Sequence, residues 1–348
     1  MIKTLLEGEY NDVELIHVRM CFSREMNELG KFSFRKLFHL LKVVLEIFYC
    51  RVFHKVRVLY YPPSNPDKLP VLRDLAILCM TRWMFQKTIF HFHAAGISEI
   101  YPSLPWFLKF LFRWGYFEPD VSIRLSEYNP DDGMFLNARN HCLVPNGIVD
   151  EFVAVEEMER EESSMCSLLF VGLIRESKGI LVLVEAMRIL AGKELPVRAK
   201  IVGKFESPEF ENLVMSRIEK YGLSERFDFP GVLTGTEKHR AYLNADIFCF
   251  PTFFESFGLV VAEAMQFELP VVASRGQGVQ SLVVDGVTGF LTQVQDSNAV
   301  AQCIERLVLD AELRCQMGRA GRQRYLQEYS IEKFHNRMDH CFSLVSQG

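Results

Sequence analysis

From Ser167 onward, short runs of Val, Ile, Leu and Phe alternate with longer stretches in which apolar residues return every three or four positions. Each short run closes on Gly, Pro, Ser or Thr, so the pattern predicts strands at 167–172, 198–203, 227–231, 246–251, 270–274 and 289–292. Between the first two, Ile180, Leu183, Val184, Met187 and Leu190 share a helical face and Gly192 closes the helix. Strands separated by helices of this length cannot pair as hairpins. They need crossover connections, which give a parallel sheet with helices on both faces. Residues 153–330 therefore predict one doubly wound α/β domain. Upstream, strands predicted at 13–18, 55–61, 87–93, 121–126 and 141–145 give a second α/β domain over 1–152. The acidic stretch 155–164 has no apolar periodicity and is the predicted linker. Phe334, Met338, Cys341 and Phe342 keep helical spacing, so a last helix within 331–348 is expected, able to pack back on the first domain.

Composition sharpens this picture. The chain has 348 residues, of which 49% are apolar, enough for two cores at roughly 100–200 residues per domain. With 39 Lys+Arg against 44 Asp+Glu the net charge is −5, which argues against nucleic acid as a partner. Division after Asp150 leaves +2 on the first part and −7 on the second. No apolar run reaches the ~18–20 residues that cross a bilayer, and the first residues lack a signal-peptide pattern, so a cytoplasmic protein is expected. The nine cysteines are scattered without a C-x-x-C pair, which predicts reduced core thiols rather than disulfides or a zinc site.

In open α/β sheets ligands bind beyond the carboxyl ends of the strands, so the chemistry is sought there. After the first strand of the second domain, Gly172 opens a turn carrying Arg175 and Lys178 just ahead of Gly179 and a helix. Backbone N–H groups, the helix dipole and two cations all favour a bound anion, most simply a phosphate; a solvated basic turn is the alternative. After the fourth strand, Glu255 and Glu263 stand eight apart across a helix start. Ser256 is placed to cap that helix, leaving the N–H groups of Phe257, Gly258 and Leu259 for a ligand. Glu263 sits between Ala262 and Ala264 on an otherwise apolar helix, where a carboxylate is costly unless hydrogen-bonded. The two hydroxyls of a ribose would supply those bonds, and so would a basic neighbour; Glu255 reads equally as a solvated loop residue. A glycoside-hydrolase pair is a weaker reading, because these carboxylates flank a helix N-terminus that attracts anions.

Glu255-x7-Glu263, Lys178-Gly179, Val144-Pro145-Asn146-Gly147-Ile148 and Asp285-Gly286-Val287-Thr288-Gly289-Phe290-Leu291, in this chain in family order, resemble retaining glycosyltransferases of family 4. The resemblance implies the GT-B fold, two Rossmann-like domains facing across a cleft, here with the first domain lacking its initial strand. It implies that Lys178 and Arg175 hold the donor diphosphate and that Glu263 binds the ribose. Glu255 and the backbone of Ser256, Phe257, Gly258 and Leu259 would hold the transferred sugar. Gly172 would line the phosphate turn, Val232 would meet the nucleotide base, and His93 would face the donor sugar. The implied reaction is retaining transfer of a sugar from a nucleotide-diphosphate sugar to an acceptor hydroxyl, with no cofactor and no metal. Departures from the family are Leu173 where arginine is usual, Glu268 where glycine is usual, Ser281 where glutamate is usual, and the opening strand and glycine-rich loop. They keep two rivals in view: a relative that only binds sugar nucleotides, and an epimerase or phosphorylase on the same fold.

Residues 31–57 hold seven Lys and Arg and a single acid, Glu46, interleaved with Phe34, Phe38, Phe48 and Phe53. Apolar positions 34, 37, 38, 41, 44, 48 and 52 share one helical face, as in an interfacial helix on anionic lipid. A second aromatic and basic stretch covers 104–114. Both read equally as core helices with solvated basic faces. Peripheral contact at the inner face of the membrane would suit a lipid-linked or glycan acceptor in polysaccharide or glycolipid assembly.

Overall fold

The computed structural model describes residues 2–11, 13–20, 34–153, 158–161 and 163–346, without the side chains of 34–37. Lys31 and the linker positions 155–157 and 162 lie outside the described residues. The chain forms two compact units, Met1–Pro145 with His335–Gly348, and Asn146–Phe334. The changeover therefore falls at Pro145, ahead of the acidic stretch. That stretch lies in the second unit, where Arg160 pairs with Asp246 at 2.5 Å and Asn244 accepts from the Glu161 N–H at 3.0 Å.

The first unit holds a parallel sheet of β1 (Val58–Tyr61), β2 (Lys87–Phe92), β3 (Val121–Arg124) and β4 (Asn140–Leu143), in that spatial order. β2 is central, and Thr88 to Phe92 are all buried, as a strand covered on both faces requires. β4 alternates between half-buried and exposed because it is an edge. Residues 13–18, predicted as a strand, form no ladder. Val13, Leu15 and Val18 instead line, with all four residues of β1, an apolar cavity of about 630 Å³. Alternating apolar residues make a strand only where a neighbouring backbone supplies hydrogen bonds. The last helix, Ile331–Ser346, joins the first unit from His335, through His335 Nε2 to the Thr4 carbonyl (2.9 Å) and Asp339 to the Asn11 N–H (2.8 Å).

The second unit contains all six predicted strands: β5 (Cys166–Val171), β6 (Val197–Val202), β7 (Phe227–Gly231), β8 (Ile247–Phe250), β9 (Val271–Ser274) and β10 (Gly289–Thr292). They are parallel, in the order β10-β9-β8-β5-β6-β7. β5, β8 and β9 are the buried middle, and Leu168, Phe170, Phe248 and Val272 are essentially solvent-free. β5, β6 and β7 step one way across the sheet, whereas β8, β9 and β10 step the other. The reversal lies between β5 and β8, and it is there, at the strand carboxyl ends, that such a sheet leaves a binding crevice.

Candidate active site

The loops that follow β5 and β8 carry the predicted phosphate turn and the predicted glutamate pair, and the sheet order makes them neighbours. They are laced together. The Phe253 N–H and the Thr252 hydroxyl both donate to the Ser177 carbonyl, at 2.8 and 3.2 Å. Gly179, at φ +74°, packs so closely on Pro251 that a Cβ there would overlap its carbonyl oxygen. Only glycine satisfies both the left-handed backbone and the close approach.

This lacing brings Lys178 and Glu255 together, with Nζ 2.6 Å from Oε2 and the ammonium 5.5 Å from the centre of the Phe250 ring. Arg175 stands at the head of the same turn, and its Nε is buried without a hydrogen-bond partner. A buried donor without an acceptor is costly, and a bound anion would relieve that cost. Glu255 is thus an ion-pair partner rather than a solvated loop residue.

Glu263 lies in the helix Leu259–Gln266 with both oxygens engaged: Oε1 accepts a hydrogen bond from Lys238 Nζ and Oε2 one from the Tyr242 hydroxyl, each at 2.7 Å. Burial and the adjacent carboxylate raise the Tyr242 phenol well above its ordinary range, so it stays protonated and donates. Of the two explanations for a carboxylate on this apolar helix, the basic neighbour is therefore present within the chain. The capping expectation is corrected. Gly258, at φ +94°, occupies the N-cap position without any side-chain cap, and Ser256 lies two residues too early. Phe257 turns its ring into the core against Tyr329 at 5.8 Å, so only its backbone is available to a ligand, while Leu259 is exposed.

Glycines also end three adjacent strands. Gly172 N–H donates to Val202 (3.0 Å) and Gly203 N–H to Gly231 (2.8 Å), and a Cβ on Gly203 would overlap the Gly172 carbonyl. Beyond β6 and β7 lies a cavity of about 460 Å³ lined by Gly203 to Pro208, Glu211, Gly231 and Val232. Val232 was expected at a ligand; Lys204, Phe205 and Glu206 were not. Their signal was present, since they directly follow a strand in a doubly wound sheet, but Gly203-Lys204-Phe205-Glu206 has no distinctive spacing.

His93, in the first unit, follows β2. Its Nδ1 is buried without a partner, and burial pulls its pKa down to about 4. His91 is fully buried and held by Tyr60, whose hydroxyl lies 2.6 Å from Nδ1; burial and then His93 push its pKa well below the usual value. The two rings stand 4.1 Å apart. At neutral pH both are uncharged, so His93 is able to exchange hydrogen bonds but not to supply a cation.

Residues 160–324, which contain the Lys178–Glu255 pair, Arg175, Glu263 with its partners and the cavity beyond β6 and β7, match the family model described as glycosyl transferases group 1. The match takes in a little under half of the chain. The capsular polysaccharide biosynthesis glycosyltransferase CapM of Staphylococcus aureus is 31% identical over 163 residues, 47% of this chain and 42% of CapM. A D-inositol 3-phosphate glycosyltransferase of Corynebacterium urealyticum is 32% identical over 56% of this chain and 49% of its own length. The matches thus span less than half of these two curated relatives. The fold likeness reaches further. Sucrose-phosphate synthase of Thermosynechococcus elongatus matches with a TM-score of 0.71 at 21% identity, over 91% of this chain and 81% of that one. HepE of Anabaena, solved with UDP-glucose, matches with a TM-score of 0.68 at 17% identity, over 88% of this chain and 82% of that one. The two parallel-sheet units are those of the GT-B fold.

Proposed function

We propose that the chain is a retaining glycosyltransferase that moves a sugar from a nucleotide-diphosphate sugar to an acceptor hydroxyl. The observation that carries this reading is the cationic turn at the sheet's reversal, where Lys178 and Arg175 stand beside the loop leading to Gly258. In this reading the diphosphate binds against Lys178 and Arg175, the base occupies the cavity by Phe205 and Val232, and the ribose reaches Glu263. The acceptor oxygen bonds to the anomeric carbon as the bond from that carbon to the phosphate oxygen breaks, and the acceptor proton passes to the departing diphosphate. Lys178, Arg175 and the free N–H groups of the Leu259–Gln266 helix stabilise the charge that develops there, and the protein orients the two substrates. Glu255, released from Lys178 by the phosphate, is then able to accept a hydrogen bond from the sugar. No metal takes part. A glycan acceptor is favoured by the name of CapM, a capsular polysaccharide biosynthesis glycosyltransferase.

The test is a screen of several sugar nucleotides with the full chain, following nucleoside diphosphate release and the anomeric configuration of the product by NMR, with and without EDTA. Retained configuration and chelator-insensitive turnover are expected. Inverted product or chelator-sensitive turnover would overturn the mechanism, and donor binding without turnover would leave a binding protein.

A further inference from the structure

All three tryptophans of the chain stand in the open, Trp83 at 66%, Trp106 at 83% and Trp114 at 59% exposure, and all are in the first unit. They belong to one surface. The helix Lys68–Thr81 packs against both Phe34–Phe53 and Trp106–Tyr116. Arg51, near the end of the first helix, donates from Nε to the Met84 carbonyl at 2.6 Å, which ties it to the turn Arg82–Met84 carrying Trp83. Gly115 fits against Leu75, Leu78 and Cys79, fixing the third helix to the second.

The helices are apolar on two sides. Val43, Ile47, Val71, Leu78, Phe112 and Tyr116 already fill the core. The outer side nevertheless carries Phe38, Leu45 and Phe53 on the first helix and Phe107 and Phe110 beside the tryptophans on the third, all at least half exposed. An ordinary core helix presents polar residues outward. The expected interfacial face of 34–52 is thus corrected in part: Phe38, Leu41, Phe48 and Val52 do face outward, but Leu45 replaces the half-buried Val44, because Val43 and Ile47 dock inward and set the rotation.

Charge selects the occupant. The three helices carry eight Lys and Arg against two acids, one of which, Asp74, is buried, in a chain whose net charge is −5. A second copy would bring the same cationic surface and be repelled, whereas an anionic bilayer would meet both the charge and the aromatic rings. No helix among the described residues is long and apolar enough to cross a membrane, so the surface would lie on the bilayer.

We propose that the outer face of these three helices, with Trp83, Trp106 and Trp114 as anchors, docks on membranes containing anionic lipid. The inference does not rest on the transfer reaction, and its test reads binding alone. The full chain is floated with vesicles of pure phosphatidylcholine and of an equimolar mixture with phosphatidylglycerol, at low and high salt, while tryptophan emission is recorded. Because every tryptophan lies on the face, docking shifts the emission to the blue. Binding only to the anionic vesicles, weakened by salt, is expected. Trp106→Ser with Phe110→Ser, and separately Lys109→Glu with Arg113→Glu, lower partitioning at least tenfold while circular dichroism is unchanged. Absence of flotation on anionic vesicles at low salt would overturn the proposal. So would binding that both double variants leave intact, or lipid-free self-association that the Trp106/Phe110 variant abolishes.

Discussion

Lys178 and Glu255 form an ion pair of 2.6 Å across two loops that are 77 residues apart in sequence, with side-chain exposures of only 14% and 24%. Two charges so shielded interact more strongly than a surface pair, and neither is held by sequence neighbours. The ammonium is aimed at that carboxylate and, at 3.5 Å, at the Phe254 carbonyl, acceptors that a bound diphosphate would replace.

Lys178→Ala is expected to lower kcat by about 10²–10³-fold, the usual cost of removing one donor to charge that develops in a transition state. Initial rates at saturating donor check this. Glu255→Ala should lower turnover further when added to Lys178→Ala, since with donor bound Lys178 would face the diphosphate and Glu255 the sugar. Wild-type turnover in purified Lys178→Ala would sink the phosphate assignment.

Glu263→Ala removes the acceptor of both Lys238 and the Tyr242 hydroxyl. It should raise the donor KM roughly tenfold, as one lost hydrogen-bond partner to a ligand does, and cost about 1–3 kcal/mol of stability by stranding those donors. Tyr242→Phe separates the two effects. It should cost stability of about 1 kcal/mol while leaving KM alone. Equal KM changes in both variants, read beside thermal unfolding, would make Glu263 purely structural.

The second unit was legible because each of its strands ends in a residue that stops it and each crossover carries helical periodicity. Parallel pairing then follows from connection length, and the strand ends put Lys178 and Glu255 on the loops after β5 and β8. The direct ion pair was not legible, since it depends on β5 and β8 being neighbours, a relation between residues far apart in the chain. Ser256 misled because serine is a common cap, and only the +94° φ of Gly258 shows where the helix begins. Val13 to Val18 misled because alternation reports which sides are apolar, not whether a neighbouring strand is there. Phe205 was hidden for a third reason: a cavity wall needs no characteristic spacing.

Gly179→Ala tests the lacing itself. A left-handed backbone costs an alanine about 1–2 kcal/mol, and overlap with the Pro251 carbonyl adds to this. The variant should melt several degrees lower and lose activity even though no side chain that touches donor has changed. Gly192→Ala serves as the control. A Cβ there meets nothing within 4 Å, so unchanged or slightly raised stability is expected. If both variants behaved alike, close approach at Gly179 would not matter.

The histidines of β2 make the first unit sensitive to acid. His93 has its pKa drawn down to about 4 by burial, and burial and then His93 hold His91 well below its usual value. In the unfolded chain both would titrate near 6.5. Between about 6.5 and 4 the unfolded state therefore binds protons that the folded state refuses, and stability is lost as pH falls through that window while remaining complete above it. Each histidine contributes a slope of about 1.4 kcal/mol per pH unit once its unfolded form is protonated. Amide hydrogen exchange of β2, measured at pH 7.5 and at pH 5, should accelerate at the lower value beyond the intrinsic pH effect. His93→Asn should remove roughly half of that extra acceleration, because asparagine binds no proton in either state. An unaltered pH dependence in His93→Asn would mean that His93 is solvated and titrates normally, and the neutral, hydrogen-bonding role assigned to it would fall with that result.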